Sequence, residues 1–579
     1  MNITSTTGTA SEIMIEQLVA SGIKHVFYNS GSREALFFDA LNNNPNINGV
    51  LALHEGIVAS MAGAYTQVNN EPSVMVVHLG AGLAQSMGQL YNVWYAGLPV
   101  VVITFVGDTG SFTDRINLDL DSSFGPTSIS GTLTKQTWTV IEPEGLPQAI
   151  DRAINVATTF PQGPVHIAVY DKMLGKEQVN AQIIHNTSEH LRAGHPSHSD
   201  VEQILSAIDK SKKPLLYVGD GVWKTGSGNL IAELAEYFGM AITCPEVDQR
   251  SISLKHPQHI GVYRQEGGYL ETYPEEFNPD LILSIGARYQ GNGNIEDMTH
   301  FGRAKKLYAV GSDITYLKNY PGMDCGVLAD ESRFLISMLE VAKCDFNSDK
   351  YKDRKSVVTE YAAATREFRR QLVFKDPVLG RIRPGLLVDA IDNSLEKIGG
   401  GYITTEQTAA PFDSVRSGDL RNNVLLKAHG GSEGWGVGAA IGAKLAAGDS
   451  PVVGMVGDGS LYYADSGLWS SVHHNIPLLF VIPNNGAYGI VAGSFGKSGG
   501  TMTDTGNYEG VVLEGIDPVK LANAFGMEGE RVDSEDILDE RIDAALRVVQ
   551  SEQRPYLLDV RLPLGLPDGG IPNVQFKMK

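Results

Sequence analysis

The chain has 579 residues, too many for one hydrophobic core, and a usual size of about 150 residues per domain predicts three or four domains. Its 42% hydrophobic content suffices for packed cores, while 67 acidic against 46 basic residues leave a net charge of −21. That balance argues against a nucleic-acid surface, and any anionic ligand must be held by backbone amides, helix dipoles or a cation.

Cys244, Cys325 and Cys344 lie far apart without a CxxC pair, which argues against a disulfide framework or a thiolate zinc site and fits a reducing cytoplasm. The N-terminal "MNITSTTGTASEIMIEQL" lacks a basic segment followed by an apolar one. The longest apolar run, "LPVVVITFV", falls well short of the ~20 residues of a membrane helix. Neither export nor a membrane span is expected.

From the N-terminus, helical and strand patterns alternate. "SEIMIEQLVASGI" precedes "HVFYNSG", and "QAIDRAINVATT" precedes "GPVHIAVY". This alternation predicts an α/β fold of doubly wound, mainly parallel sheets. Polar interruptions at 185–200 and 344–356 read as linkers, giving three domains expected over 1–182, 196–345 and 360–579. The first and third share an order of strand, glycine turn, Trp-containing helix, proline and strand, which suggests related sheets facing a shared cleft, although common βαβ grammar could produce the same likeness.

In the central domain, "KPLLYVGDGVWKTGSG" places Asp220 between Gly219 and Gly221, but no Asn pair follows at a suitable distance. Asp220 is expected to serve a tight turn. "GSFGKSGG" has Val491 where a P-loop needs its first glycine, so a nucleotide-binding P-loop is excluded.

In the third domain, the apolar run in "PVVGMVGDGSLYYADSG" ends at Asp458 between two glycines. A strand apolar on both faces belongs in a parallel sheet, whose C-terminal edge is where such folds bind ligands. Asp458 is therefore a candidate turn residue, phosphate-site residue or metal ligand. "IPLLFVIPNNGAYG" then brings Asn485 to the end of a neighbouring strand. With the Ala487 carbonyl this is an oxygen-only set suited to Mg²⁺ or Ca²⁺, leaving positions for a diphosphate. The glycines allow backbone N–H groups to approach that anion.

The Gly457–Gly459 turn followed by Asn484-Asn485 resembles the signature of thiamine-diphosphate enzymes. The likeness runs along nearly the whole chain through "NSGSRE", "LHEGIVASMAGAY", "VVHLGAG" and "GAAIGAKLA". It points to the decarboxylase and acetohydroxyacid-synthase superfamily, nearest to benzoylformate decarboxylase. The resemblance implies an N-terminal pyrimidine-binding domain, a Rossmann-like middle domain, where some relatives bind FAD, and a C-terminal diphosphate-binding domain. It implies thiamine diphosphate and Mg²⁺ as cofactors, with Ca²⁺ as an alternative, and a lyase that decarboxylates a 2-oxo acid through a thiazolium ylid and an enamine. Carboligation or C–C cleavage of 2-hydroxyketones is the alternative chemistry, and an inactive cofactor-binding subunit a third reading.

Carried over residue by residue, the resemblance makes Asp458, Asn485 and the Ala487 carbonyl metal ligands. Thr408, Gly459, Ser460, Tyr488, Gly489 and Ile490 would surround the cofactor, with the Gly431 carbonyl and Ser432 near the aminopyrimidine. Glu55 matches the activating glutamate, whose hydrogen bond favours the imino tautomer that removes the C2 proton. It would reach the cofactor of a neighbouring subunit, so the resemblance implies a homodimer at least and commonly a tetramer. Ser32 and His78 match positions that hold the substrate carboxylate and relay protons. Alone, Ser32 equally suits a helix N-cap and His78 a structural histidine.

Two departures stand out. "ARYQGNGN" lacks the histidine that the family's second catalytic position carries, and in "HGGSEGWGVGAAIG" Glu433 falls where relatives prop the cofactor on an apolar residue. A carboxylate there is costly unless protonated or paired. Elsewhere, His473-His474 is expected at a surface helix end. His185, His190, His195 and His198 lack regular metal-ligand spacing. His429 and Phe495 suit pocket lining and packing equally.

Overall fold

The computed structural model describes residues 2–107, 125, 127–185, 191, 193–245, 248, 250–264, 268–269, 277–289, 304–373, 380–406, 423–505, 509–513 and 515–563. Three α/β units follow one another, each with a parallel sheet covered by helices. The N-terminal sheet has strands His25–Tyr28, Asn48–Leu51, Ser73–Val76, Val100–Val106, Thr137–Val140 and Val165–Tyr170. The C-terminal sheet has Gly401–Thr405, Asn423–Lys427, Val452–Met455, Leu479–Asn484, Glu528–Val532 and Tyr556–Arg561. Numbered along the chain, both have the order 2-1-3-4-6-5 with every neighbour parallel. The internal likeness is thus topological, extending beyond one shared βαβ unit.

The central sheet differs. Its parallel strands Pro214–Val218, Ala241–Pro245, His259–Arg264, Leu281–Ile285, Lys306–Gly311 and Cys325–Leu328 run in the order 3-2-1-4-5-6, with Gly268–Tyr269 antiparallel at one edge. That is the doubly wound dinucleotide-fold order. The stretch expected as a second linker is helical over much of its length. Cys344 and Asp345 end the helix Glu331–Asp345, and the 22-residue helix Lys352–Val373 begins seven residues later. Among the described residues no helix is long and apolar enough to cross a membrane.

The outer units dock through two helices, Glu55–Asn69 and Gly436–Ala447. Their approach is closest at small residues: a Cβ on Gly442 would lie 2.0 Å from the Met61 carbonyl oxygen, and one on Gly438 2.0 Å from Ser60 Oγ. The fully buried Trp435 indole fills the space over Gly63. The glycines of "GAAIGAKLA" are thus required by backbone contact between the units.

Central-unit cations hold the other ends of the N-terminal helices. Lys224 Nζ donates to the Ala96 and Gly97 carbonyls at 3.0 and 2.9 Å, Arg288 to the Tyr95 carbonyl, and Arg250 to the Gln67 carbonyl. Each cation meets the negative end of a helix dipole. The helices Glu55–Asn69 and Ala81–Ala96 are thereby fixed at their C-termini while their N-termini face the catalytic candidates.

Candidate active site

In the C-terminal sheet, adjacent strands Val452–Met455 and Leu479–Asn484 deliver Asp458 and Asn485 to the same edge. The Gly486 N–H donates to Asp458 Oδ2 at 3.0 Å, and the Ala487 N–H to Asn485 Oδ1 at 3.2 Å. The Asn pair divides its work. Asn484 Nδ2 donates to buried Asp559 at 2.7 Å, which also accepts from Arg531 at 2.8 Å, whereas Asn485 lines an open cleft.

Among the residues lining that cleft are Asp458, Gly459, Ser460, Asn485, Ala487, Tyr488, Gly489 and Ile490, which the family resemblance names for cofactor and metal, together with Tyr463, Pro483 and Val491, which it does not. Asp458 is buried, and burial raises its carboxyl to about 6 despite the N–H groups of Gly459 and Gly486. A buried carboxylate hydrogen-bonded by backbone N–H groups, beside a carboxamide and a turn carbonyl, is a hard-oxygen donor set that fits a divalent cation. A Cβ on Gly459 would lie 2.6 Å from the Tyr488 ring. The ten-residue helix Gly489–Ser498 opens at the same edge and presents its N-terminus there.

Thr408 lies outside the described residues. Gly431 adopts a left-handed backbone at φ 73°. The next residues are latched to the helix Ala81–Ala96: Asn92 Nδ2 donates to the Ser432 carbonyl at 2.8 Å, and Gln89 Nε2 to the Glu433 carbonyl at 2.7 Å. Glu433 lines the cleft. Ser460 Oγ donates to Glu433 Oε2 at 3.1 Å and accepts from the Gly434 N–H at 2.9 Å.

Glu406, which the sequence reading missed, is buried behind Glu433. Its carboxyl accepts from the N–H groups of Gly434, Trp435 and Gly436 at 3.1–3.2 Å, closing the N-terminus of the helix Gly436–Ala447. Burial, then the charge of Glu433, raises it to about 7. Burial also raises Glu433, against the Ser460 hydrogen bond. The available signal was an acid at the end of the apolar strand "GYITTE", on the same sheet edge as Asp458.

The N-terminal candidates gather at their own sheet edge. Glu55 and His78 converge on Gly82, where a Cβ would lie 3.0 Å from Glu55 Oε1 and 3.2 Å from His78 Cβ. Glu55 starts its helix one residue after His54, whose Nδ1 accepts from the Gly56 N–H at 3.0 Å. His78 Nδ1 pairs with Glu34 Oε1 at 2.7 Å, and Glu34 is fully buried. The imidazole is therefore oriented by a carboxylate that the sequence reading did not single out. Ser32 opens a short 3₁₀ turn, with Gly31 in the N-cap position and no side-chain capping bond, so the capping alternative is absent. The cleft around Asp458 includes none of Ser32, Glu55 and His78.

His429 is buried away from the cleft, with Nε2 2.9 Å from Asp248 Oδ1. It joins three units, since Gln67 Nε2 lies 3.4 Å from its Nδ1. Phe495 packs beside Tyr488 and Met502. His474 ties the outer units together, its Nε2 accepting from the Leu51 N–H at 2.8 Å, so it is no free surface residue. His185 pairs with Thr4 at 2.8 Å and His198 with Glu202 at 3.2 Å. His190 and residues 290–294 of "ARYQGNGN" lie outside the described residues.

Three family models match in chain order: the N-terminal TPP binding domain of thiamine pyrophosphate enzymes over residues 8–115, their central domain over 201–338, and their C-terminal TPP binding domain over 412–560. The chain is a thiamine pyrophosphate enzyme. This thiamine pyrophosphate enzyme is 24% identical over 569 residues to the acetolactate synthase isozyme 3 large subunit of Escherichia coli K12, covering 95% of this chain and 94% of that one. It is 25% identical over 567 residues to a benzoylformate decarboxylase of Pseudomonas aeruginosa, covering 95% and 98%. Among solved structures, the thiamine diphosphate-dependent 4-hydroxybenzoylformate decarboxylase of Rhodococcus jostii RHA1 superposes with a TM-score of 0.79 at 25% identity, covering 96% of this chain and 99% of that one. The benzoylformate decarboxylase of Polynucleobacter necessarius has the same TM-score at 22% identity and the same coverages, a likeness of fold. Family and relatives agree on a decarboxylase or carboligase that uses thiamine diphosphate.

Proposed function

We propose that this enzyme is a Mg²⁺-dependent lyase that decarboxylates a 2-oxo acid of the benzoylformate type. The carrying observation is the pairing of buried Asp458 with Asn485 at adjacent strand ends in one cleft. In this reading Asp458, Asn485 and the Ala487 carbonyl hold Mg²⁺, or Ca²⁺ in its place. Gly459, Ser460, Tyr488, Gly489, Ile490 and Thr408 surround the cofactor, and the Gly431 carbonyl and Ser432 meet its aminopyrimidine. Bound thiamine diphosphate supplies an electron sink for the pair released when CO₂ leaves.

Glu55 holds a proton at the aminopyrimidine of a cofactor bound by a second copy of the chain. That role calls for a homodimer at least, and a tetramer as a pair of dimers. Ser32 donates to the substrate carboxylate, and His78, steadied by Glu34, moves a proton at the substrate oxygen or carbon. The acidic surface and free cysteines suit a cytoplasmic enzyme with a small 2-oxo acid or aldehyde as partner. The acetolactate synthase relatives favour carboligation as the second reading, in which an aldehyde or ketone takes the place of the proton.

The test supplies purified protein with thiamine diphosphate, Mg²⁺ and a panel of 2-oxo acids, with and without an aldehyde. CO₂ with free aldehyde supports the lyase, a 2-hydroxyketone the carboligase, and tight cofactor binding without turnover a binding subunit. Glu55→Gln is expected to leave cofactor affinity intact while turnover falls by about 100-fold or more, the range for removal of an acid–base group.

A further inference from the structure

The cleft contains two carboxyl groups, Asp458 and Glu433, and among the described residues no Lys, Arg or His lines it. The chain supplies Glu433 with a hydroxyl donor, Ser460, and no ion-pair partner is described for it. Behind it, Glu406 is occupied by three backbone N–H groups and places a second acid at the same wall. The two aromatic hydroxyl groups at this end, Tyr463 and Tyr488, carry no positive charge. Two acids gathered at a cleft wall, with no cation lining it among the described residues, are an arrangement that a cationic ligand would complete.

The ligand proposed above has one permanently cationic element. Its diphosphate would be held through the metal at Asp458, whereas its thiazolium ring carries a fixed positive charge. We propose that Glu433 is an electrostatic receptor for that ring, so that the cleft selects a cationic heterocycle where an apolar wall would not. The inference rests on the cofactor reading above and adds to it a cause of selectivity. Burial raises both Glu433 and Glu406, so each acid is held at a cost that a cationic ring beside Glu433 would offset. Ser460 and the Gln89 bond to the Glu433 carbonyl fix the acid's position beforehand, which reduces the ordering required on binding.

The experiment compares equilibrium binding of thiamine diphosphate with that of 3-deazathiamine diphosphate, in which carbon replaces the ring nitrogen and removes the charge. Both are titrated with Mg²⁺ into the full-length protein, by calorimetry or quenching of tryptophan fluorescence. The ratio of affinities cancels the contributions of diphosphate and metal and needs no turnover. Wild type is expected to prefer the cationic ligand, and Glu433→Gln to shift the ratio towards the neutral one by about tenfold or more, with Glu433→Leu shifting it at least as far. Circular dichroism checks that both variants fold. A wild-type preference for the neutral ligand overturns the proposal without any variant. An unchanged ratio in Glu433→Gln also overturns it, since charge would then play no part. Failure of wild type to bind either ligand overturns the cofactor reading itself, and the receptor role with it.

Discussion

Two turns with the same three letters, Gly219-Asp220-Gly221 and Gly457-Asp458-Gly459, end buried parallel strands and open short helices. Their acids are equally buried, at 2% and 3% exposure, so burial does not separate them. Asp220 faces Arg250, whose Nε and Nη2 lie 2.5 and 2.6 Å from its oxygens, with Lys224 at 3.7 Å. Burial alone would raise that carboxyl, but the two cations outweigh it and hold the group well below the usual carboxylate range. Asp458 has backbone N–H groups in place of a paired cation and sits at about 6.

The glycines act differently too. A Cβ on Gly219 would fall 2.1 Å from Ala287 Cα, and one on Gly221 2.8 Å from Gly286 Cα, so the neighbouring turn packs directly against the central one. At Gly459 the nearest atoms belong to the Tyr488 ring, and the edge stays open as a cleft. A strand-end acid is available to a ligand when its neighbours leave one side open to a cleft, and is a structural charge when a cation fills that side.

The strongest way to break this comparison is Asp458→Ala. It is expected to lower Mg²⁺-dependent thiamine diphosphate affinity by about 1,000-fold or more, roughly 4 kcal/mol; unchanged affinity by calorimetry would refute the ligand assignment. Asp220→Ala should do the reverse. It leaves the cofactor site in place and costs about 3–5 kcal/mol of stability, the penalty for stranding a buried charge, read as a lower denaturant midpoint.

The pH dependence sharpens the contrast. The folded value of Asp458, about 6, lies above its unfolded value of 3.8, so metal-free protein loses about 3 kcal/mol from this group as pH rises through that interval. Denaturant titrations of wild type minus Asp458→Asn should show that slope. Asp220 has the opposite sign: its contribution is present above 3.8 and lost only as pH falls through its depressed folded value. The smallest effect is expected when both members of the central pair are exchanged. Asp220→Leu with Arg250→Met should cost less than Asp220→Ala alone, because an apolar pair of similar volume can replace a buried ion pair, while Lys224 and the Gln67 carbonyl each lose a partner; a double-mutant cycle measures it.

Much of the C-terminal site was legible because one βαβ unit sets its spacing. Asp458 and Asn485 sit at consecutive strand ends, and the apolar runs before them announce those strands. The identity of Glu433 was legible as a departure, but its surroundings were not, since Glu406 lies 27 residues earlier on another strand end. Glu34 escaped notice because its partner His78 is 44 residues away, across the sheet edge. His429 looked equally suited to the pocket, yet Asp248 and Gln67 draw it into the junction of three units.

By itself the sequence determined the α/β alternation, the cofactor family and the placing of Asp458 and Asn485 at neighbouring strand ends, because local periodicity, one repeated unit and the family motifs encode them. The tertiary structure alone decided which buried acids are neutralised and which face a cleft. Charge compensation depends on Arg250, Ser460 and Glu406, side chains brought beside those acids by the packing of separate strands and helices.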